Sequence, residues 1–191
     1  MTRANISMDK RIYDSYSTQV SRKGKTLYTS TNEWLETASE VLAGGADADD
    51  ILRLWRSYAV LKEVDVITLP SDFVDDLIGM LYKADKNGIL KMFGNLGSSL
   101  VGLLKIAAPD IEQLADLAKD FVMLIPVKRL EMIKTDSNSI EMNIVGAGKR
   151  LSSTECSFEF VKAILNGYGY AVTSHDVSVG AIRLRANKRS A

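Results

Sequence analysis

Three polar side chains near the N-terminus have the chemistry needed to read nucleic-acid bases: Arg3, Asn5 and Ser7. An arginine can donate two hydrogen bonds to guanine O6 and N7, an asparagine can bond adenine N6 and N7, and a serine can donate or accept. The three residues alternate with apolar ones, which is typical of a strand that has one buried face. The pattern therefore predicts a strand over residues 2–8 that presents base-reading groups on its outer face.

The charge around this segment favours an anionic partner. The chain of 191 residues has 24 Lys and Arg against 24 Asp and Glu, so its formal net charge is zero. Residues 1–26 hold six basic and two acidic residues, a net charge of +4, which leaves −4 for the remainder. Nucleic acid is the first candidate for a basic head on an acidic body. The basic residues expected at helix ends, where they would meet phosphates, are Lys10, Arg11, Arg22, Lys23 and Lys25.

Two helices are expected to position these groups. Asp9 can cap a first helix of residues 10–22, which ends before Gly24, and Thr26 can cap a second helix of residues 27–43. A unit of about 40 residues with one strand is too small to bury a core or to satisfy the backbone hydrogen bonds of that strand. The sequence therefore predicts a dimer in which the strands of two copies pair antiparallel.

The strand, the first helix, the turn at residues 22–27 and the Asn-Glu-Trp-Leu segment at 32–35 resemble the ribbon-helix-helix (Arc/MetJ-like) family of DNA-binding transcriptional regulators. The resemblance covers residues 2–43, less than a quarter of the chain. It implies an obligate dimer whose β-ribbon enters the DNA major groove, with base contacts from Arg3, Asn5 and Ser7. It also implies a phosphate contact by Thr26 and the backbone of Leu27 and Tyr28. The polar residues 29–31 depart from the usual pattern of the family.

An acidic junction at residues 46–50 predicts a boundary between a head domain, 1–45, and a second domain, 50–191. Helices are expected between residues 51 and 124, with Ser71 capping one of them. Strands are expected at 127–134, 140–145, 170–174 and 179–186, with a helix at 156–166 capped by Ser152 or Ser153. The predicted fold is α+β: a ribbon-helix-helix head followed by a helix-rich domain that ends in ββαββ. The second domain is expected to serve oligomerisation or effector sensing.

Other candidate chemistry in the second domain is sparse. The turn at 146–150, Gly-Ala-Gly-Lys-Arg, could receive a phosphate at a helix N-terminus, or could be an ordinary turn from strand to helix. Cys156 is interpreted as a buried small apolar residue in preference to a redox sensor, and His175 as a loop histidine in preference to an acid or base. One Cys and one His exclude an internal disulfide and a multi-histidine metal site. We expect no enzyme activity, cofactor or metal.

The sequence thus predicts a homodimeric, sequence-specific DNA-binding regulator whose partner is double-stranded DNA. A repressor is favoured over an activator, because occupying a promoter is the simpler action. A cytoplasmic location without a membrane partner is expected, because the uncharged stretch at 92–104 is shorter than the roughly 20 residues that a bilayer needs. Alternatives are a DNA-organising or partition-type protein, an antitoxin whose second domain binds a partner, and a head that serves oligomerisation alone. Residues 50–191 could also bind an unidentified effector.

Overall fold

The computed structural model describes residues 5–63, 66–67, 69–122, 127–136 and 138–189. In this part of the chain, seven helices and a four-stranded antiparallel sheet are present, which confirms the predicted α+β class. The chain divides into two compact units, residues 1–51 and 52–191, and each is described by itself.

The first unit contains α1 (Lys10–Arg22) and α2 (Leu27–Ala43), in agreement with the prediction. The carboxylate of Asp9 accepts hydrogen bonds from the backbone N–H groups of Arg11 and Ile12, at 2.8 and 3.4 Å. Gly24 adopts a φ of 68°, which a glycine tolerates without strain and which ends α1. The hydroxyl of Thr26 then accepts from the N–H of Thr29 at 3.2 Å and caps α2.

The expected N-terminal strand is the main correction. Residues 5–8, the described part of that segment, form neither strand nor helix. Ile6 and Met8, expected on a buried face, are 63% and 45% exposed. The prediction of a strand is therefore wrong for the single chain. The physical reason is that a strand needs a neighbour for its backbone hydrogen bonds, and no described strand lies beside these residues in one copy.

Five further helices are α3 (Ala48–Lys62), α4 (Ser71–Ala84), α5 (Lys86–Ala107), α6 (Ile111–Phe121) and α7 (Leu151–Gly167). Two details differ from the prediction. Ser71 is the first residue of α4 and not its cap, and Arg150 precedes α7 where Ser152 or Ser153 was expected. The expected end of α6 at Leu124 lies outside the described residues.

The sheet consists of β1 (Arg129–Lys134), β2 (Ser139–Val145), β3 (Tyr170–Ser178) and β4 (Ala181–Lys188), in the order β1-β2-β4-β3. With α7 between the two hairpins, the predicted ββαββ order is confirmed. Period-two alternation directs one face of the sheet into the core of the second unit. The buried residues of that core include Ile140, Met142 and Ile144 of β2, Ile182, Leu184 and Ala186 of β4, and Phe158 and Leu165 of α7.

The turn between the last two strands is displaced from its expected position. His175 and Asp176 were expected in a loop, but both lie within β3, and the turn is formed by Val179 and Gly180. Gly180 has a φ of 73°, a conformation that favours glycine. The polar residues 173–176 are exposed because β3 is an edge strand, and a register shift interrupts its pairing between Val172 and Ser174.

Candidate nucleic-acid interface

The two described residues among those expected to contact bases do not lie in a strand. Asn5 and Ser7 lie in the irregular segment before α1, and both are exposed to solvent. Arg3 lies outside the described residues. The single chain therefore does not bring the described pair into a strand, since the element that would align them is not formed.

The turn between α1 and α2 is the part of the candidate interface that is formed in the single chain. Arg22 ends α1, and Lys23 and Lys25 flank Gly24 in the turn; all three basic residues are exposed. Thr26 then caps α2. A helix leaves its first N–H groups without an acceptor of its own, and the helix dipole gives that end a partial positive charge. The amides of Leu27 and Tyr28 stand in this position, so the turn combines side-chain and backbone donors suited to a phosphate.

One of the expected phosphate contacts is already engaged within the chain. The Nζ of Lys25 lies 2.5 Å from a carboxylate oxygen of Glu33 in α2. Both side chains are about half exposed, at 46% and 50%, so solvent weakens the attraction. Lys10, Arg11, Arg22 and Lys23 are exposed and take part in none of the ion pairs found among the described residues. They are therefore better placed than Lys25 to meet an external anion.

The first unit has an incomplete core. Among its described residues, Val20 is the one apolar side chain that is buried, at 4% exposure. A hollow of about 400 Å³ lies between α1 and α2, lined by Tyr16, Gln19, Val20, Lys23, Ser30 and Trp34. The hydroxyl of Tyr16 is buried without a hydrogen-bond partner among the described residues. The apolar side chains that remain 44–65% exposed are Ile6, Met8, Ile12, Tyr13, Tyr28, Trp34, Leu35 and Leu42.

The candidate phosphate turn of the second unit is satisfied within the chain. The Nζ of Lys149 bonds Asp72, the guanidinium of Arg150 bonds Asp76, and the backbone N–H of Lys149 donates to buried Asp75 at 3.1 Å. Asp72 holds the pKa of the Lys149 ammonium above its ordinary value. These contacts fasten the turn to α4, so the geometry favours the structural interpretation of residues 146–150.

The two candidate reactive side chains differ in their surroundings. Cys156 is fully buried, and burial raises the pKa of its thiol to about 11. A thiol of this kind is protonated and inaccessible near neutral pH, which confirms the prediction of a small buried apolar residue. The ring of His175 is stacked on Phe158, with ring centroids 4.4 Å apart, although the histidine as a whole is exposed.

Sequence analysis missed a polar cluster that joins three helices. The Nζ of Lys86 in α5 lies 2.8 Å from the carboxylate of Glu155 in α7, and the hydroxyl of Tyr82 in α4 donates to the same carboxylate. The pKa of Glu155 lies below its ordinary value, chiefly because of the hydrogen bond from Lys86 and secondly because of the one from Tyr82. About 70 residues of sequence separate Glu155 from its two partners. No local pattern could have indicated the cluster.

The described ranges also bear on metal binding and on membrane insertion. No group of three or more His, Cys, Asp or Glu residues suited to a metal ion occurs there. One described helix, α5, is long and apolar enough to cross a membrane by length and composition, and 11% of its apolar stretch is buried. No family model, curated protein or solved structure was found to match the chain.

Proposed function

We propose that the protein is a sequence-specific DNA-binding transcriptional regulator that acts in the cytoplasm as a homodimer or higher oligomer. The observation that carries this proposal is the incomplete first unit, which buries Val20 as its one apolar core residue among those described. A second copy would cover the exposed apolar side chains and complete a core. The exposed basic turn would then remain available to double-stranded DNA.

In the proposed dimer, the segments that precede α1 in two chains pair as an antiparallel ribbon. Each copy supplies the backbone partner that the other lacks, and Ile6 and Met8 turn toward the helices. Arg3, Asn5 and Ser7 then share the outer face, where their hydrogen-bonding groups match base edges in the major groove. Base reading thus belongs to the pair of chains and not to one chain.

Phosphate contacts fix the position of the ribbon on the duplex in this proposal. Lys10, Arg11, Arg22 and Lys23 supply charge, and the Thr26-capped end of α2 supplies the amides of Leu27 and Tyr28. Lys25 contributes less, because it must first leave Glu33. These contacts add binding energy that depends on salt but not on sequence.

The proposed outcome of binding is repression, since a protein that occupies a promoter blocks it without further machinery. We assign no enzyme activity, metal or cofactor. The α+β second unit would serve assembly or sense an effector, and effector sensing requires that the ligand change the DNA affinity of the head.

Binding of a labelled mixed-sequence duplex over a range of salt concentrations, from about 50 to about 200 mM, tests the DNA interface. We expect the dissociation constant to rise steeply with salt, and Lys23→Ala to weaken binding to every duplex. Each substitution that removes a phosphate contact should lower the slope of log affinity against log salt by about one. Lys83→Ala, an exposed lysine of α4, is the matched control and should bind like the wild type. An absence of binding at low salt, or equal behaviour of the two variants, would contradict the proposal.

A further inference from the structure

One face of α5 carries residues spaced alternately four and three apart: Met92, Leu96, Ser99, Leu103 and Ile106. These five residues are called the α5 seam. A spacing that averages about 3.5 residues is the period at which one helix packs along another. Met92, Leu96 and Ile106 are 64%, 50% and 82% exposed. Ser99 is also exposed, and Leu103 is half-buried. The seam thus has the pattern of a helix–helix contact, but the described single chain does not cover it.

The opposite face of α5 packs against α7 in the second unit. A Cβ at buried Gly97 would lie 2.4 Å from the carbonyl oxygen of Phe160, so α5 and α7 approach closely there. Val101 packs against Gly167 at the end of α7 in the same way. Residues that are two positions apart in a helix point in directions about 200° apart. Ser99 therefore points away from the face that holds Gly97. The seam is therefore not needed for α5 to pack on α7.

The order of residue sizes in the seam reads the same in both directions. Ser99 lies at the centre, and two larger apolar residues follow on each side. If two copies of α5 cross antiparallel at Ser99, Met92 of one copy faces Ile106 of the other, and Leu96 faces Leu103. A contact around a two-fold axis requires such self-complementarity. The seam is also uncharged, so two copies meet there without repulsion between like charges.

The outward face of α4, the helix that precedes α5 and packs on it, is also apolar. Phe73, Leu77 and Met80 are 56%, 43% and 70% exposed. They lie opposite the buried face of α4, on which Gly79 meets the side chain of Arg150. With the exposed seam residues, six large apolar side chains each present roughly 100 Å² to solvent. If both helices take part in the contact, the sum of about 600 Å² is roughly three quarters of the ~800 Å² per partner of a standard stable interface.

We propose that the α5 seam is a self-association surface of the second unit, in which α5 packs antiparallel on α5 of another copy and crosses it at Ser99. The proposal is independent of DNA binding and of pairing through the first unit. A second surface of this kind joins copies of the chain even when the head is not engaged. With head pairing, it gives the protein two separate contacts for assembly.

Disulfide trapping in the full-length chain tests both the contact and its direction. The native Cys156 is fully buried, so a cysteine introduced on the surface is the reactive one. Under mild oxidation, two chains of the Ser99→Cys variant should form a disulfide with each other through residue 99. Met92→Cys and Ile106→Cys should link efficiently when mixed and poorly when alone. Thr173→Cys, on the exposed edge of β3, is the control for random collisions. Self-linking of Met92→Cys would overturn the antiparallel geometry, and seam cysteines that link no faster than the control would overturn the contact.

A charge in the seam tests the same proposal without cysteine. Leu96→Glu should weaken one association step at least about tenfold in sedimentation experiments on the full chain. At a protein concentration too low for association, the thermal unfolding of the second unit should stay unchanged, because Leu96 is half exposed. Flotation with vesicles of phosphatidylcholine and phosphatidylglycerol addresses the apolar character of α5. If the wild-type protein floats with the vesicles and Leu96→Glu does not, the seam binds lipid and the proposal is wrong.

Discussion

Glu155 illustrates how one carboxylate can join three helices. Its Oε2 lies 2.8 Å from the ammonium of Lys86 and also accepts a hydrogen bond from the hydroxyl of Tyr82, and its side chain is 25% exposed. Because these partners lower its pKa in the folded state, the carboxylate stabilises the fold above the ordinary pKa of 4.5. The stabilisation disappears as the pH falls through the lower folded-state pKa.

We therefore expect Glu155→Gln to lower the free energy of unfolding by about 1 kcal/mol at about pH 7. The deficit should shrink as the pH falls below 4.5, where the unfolded carboxylate becomes protonated. Urea titrations near neutral pH and at about pH 3 measure this deficit in the free energy of unfolding. Glu159→Gln removes a part-buried i,i+3 pair with Lys162 that joins no second element, and it should change stability by less than about 0.5 kcal/mol. A deficit for Glu155→Gln that is as large in acid as near neutral pH would argue against this role of the carboxylate.

At the scale of elements, two glycines of α5 form a matched pair. A methyl group at Gly97 meets the backbone oxygen of Phe160 at 2.4 Å and Ala163 at 3.0 Å, whereas one at Gly94 meets nothing within 4 Å. Gly97→Ala should therefore force α5 and α7 apart and cost about 1–3 kcal/mol. Gly94→Ala should stabilise the helix by up to about 1 kcal/mol. Thermal unfolding of both variants measures the difference, and equal shifts would show that the close approach of α5 to α7 does not matter.

Elements with local signals could be predicted from the sequence. The bounds of α1 and α2 follow from the side chains of Asp9 and Thr26 and from the conformation of Gly24, all of which act within a few residues. The alternating pattern likewise predicted strands at 140–145 and 179–186, close to the observed Ser139–Val145 and Ala181–Lys188. The same local reasoning placed Lys23 and Thr26 at the turn where the structure has them.

Elements that depend on distant partners could not be predicted in the same way. The N-terminal segment alternates like a strand, but alternation does not supply the neighbour that a strand requires. The polar run around His175 resembled a loop because an edge strand exposes its residues to solvent. The engagement of Lys149 by Asp72 joins residues 77 positions apart, so the sequence could not show that the turn was already neutralised.

The proposed function is a property of more than one chain. A single copy exposes the basic turn but neither forms a ribbon nor completes the core of its first unit in the described residues. The net charge of zero is the sum of +4 on residues 1–26 and −4 on the remainder. In the proposed function, attraction to DNA would be local to residues 1–26, and the acidic remainder would limit non-specific coating of DNA.

Selection of bound duplexes from a random DNA pool, at near-physiological salt, tests the central claim most directly. The wild-type chain is compared with an Arg3→Ala, Asn5→Ala, Ser7→Ala triple variant. A second triple variant replaces the same residue types on the exposed sheet surface, Arg183→Ala, Asn187→Ala and Ser178→Ala. We predict that the wild type and the sheet variant enrich the same short, roughly palindromic motif, and that the N-terminal variant enriches none. Enrichment of that motif by the N-terminal variant, or of no motif by the wild type, would contradict base reading by a paired N-terminal ribbon.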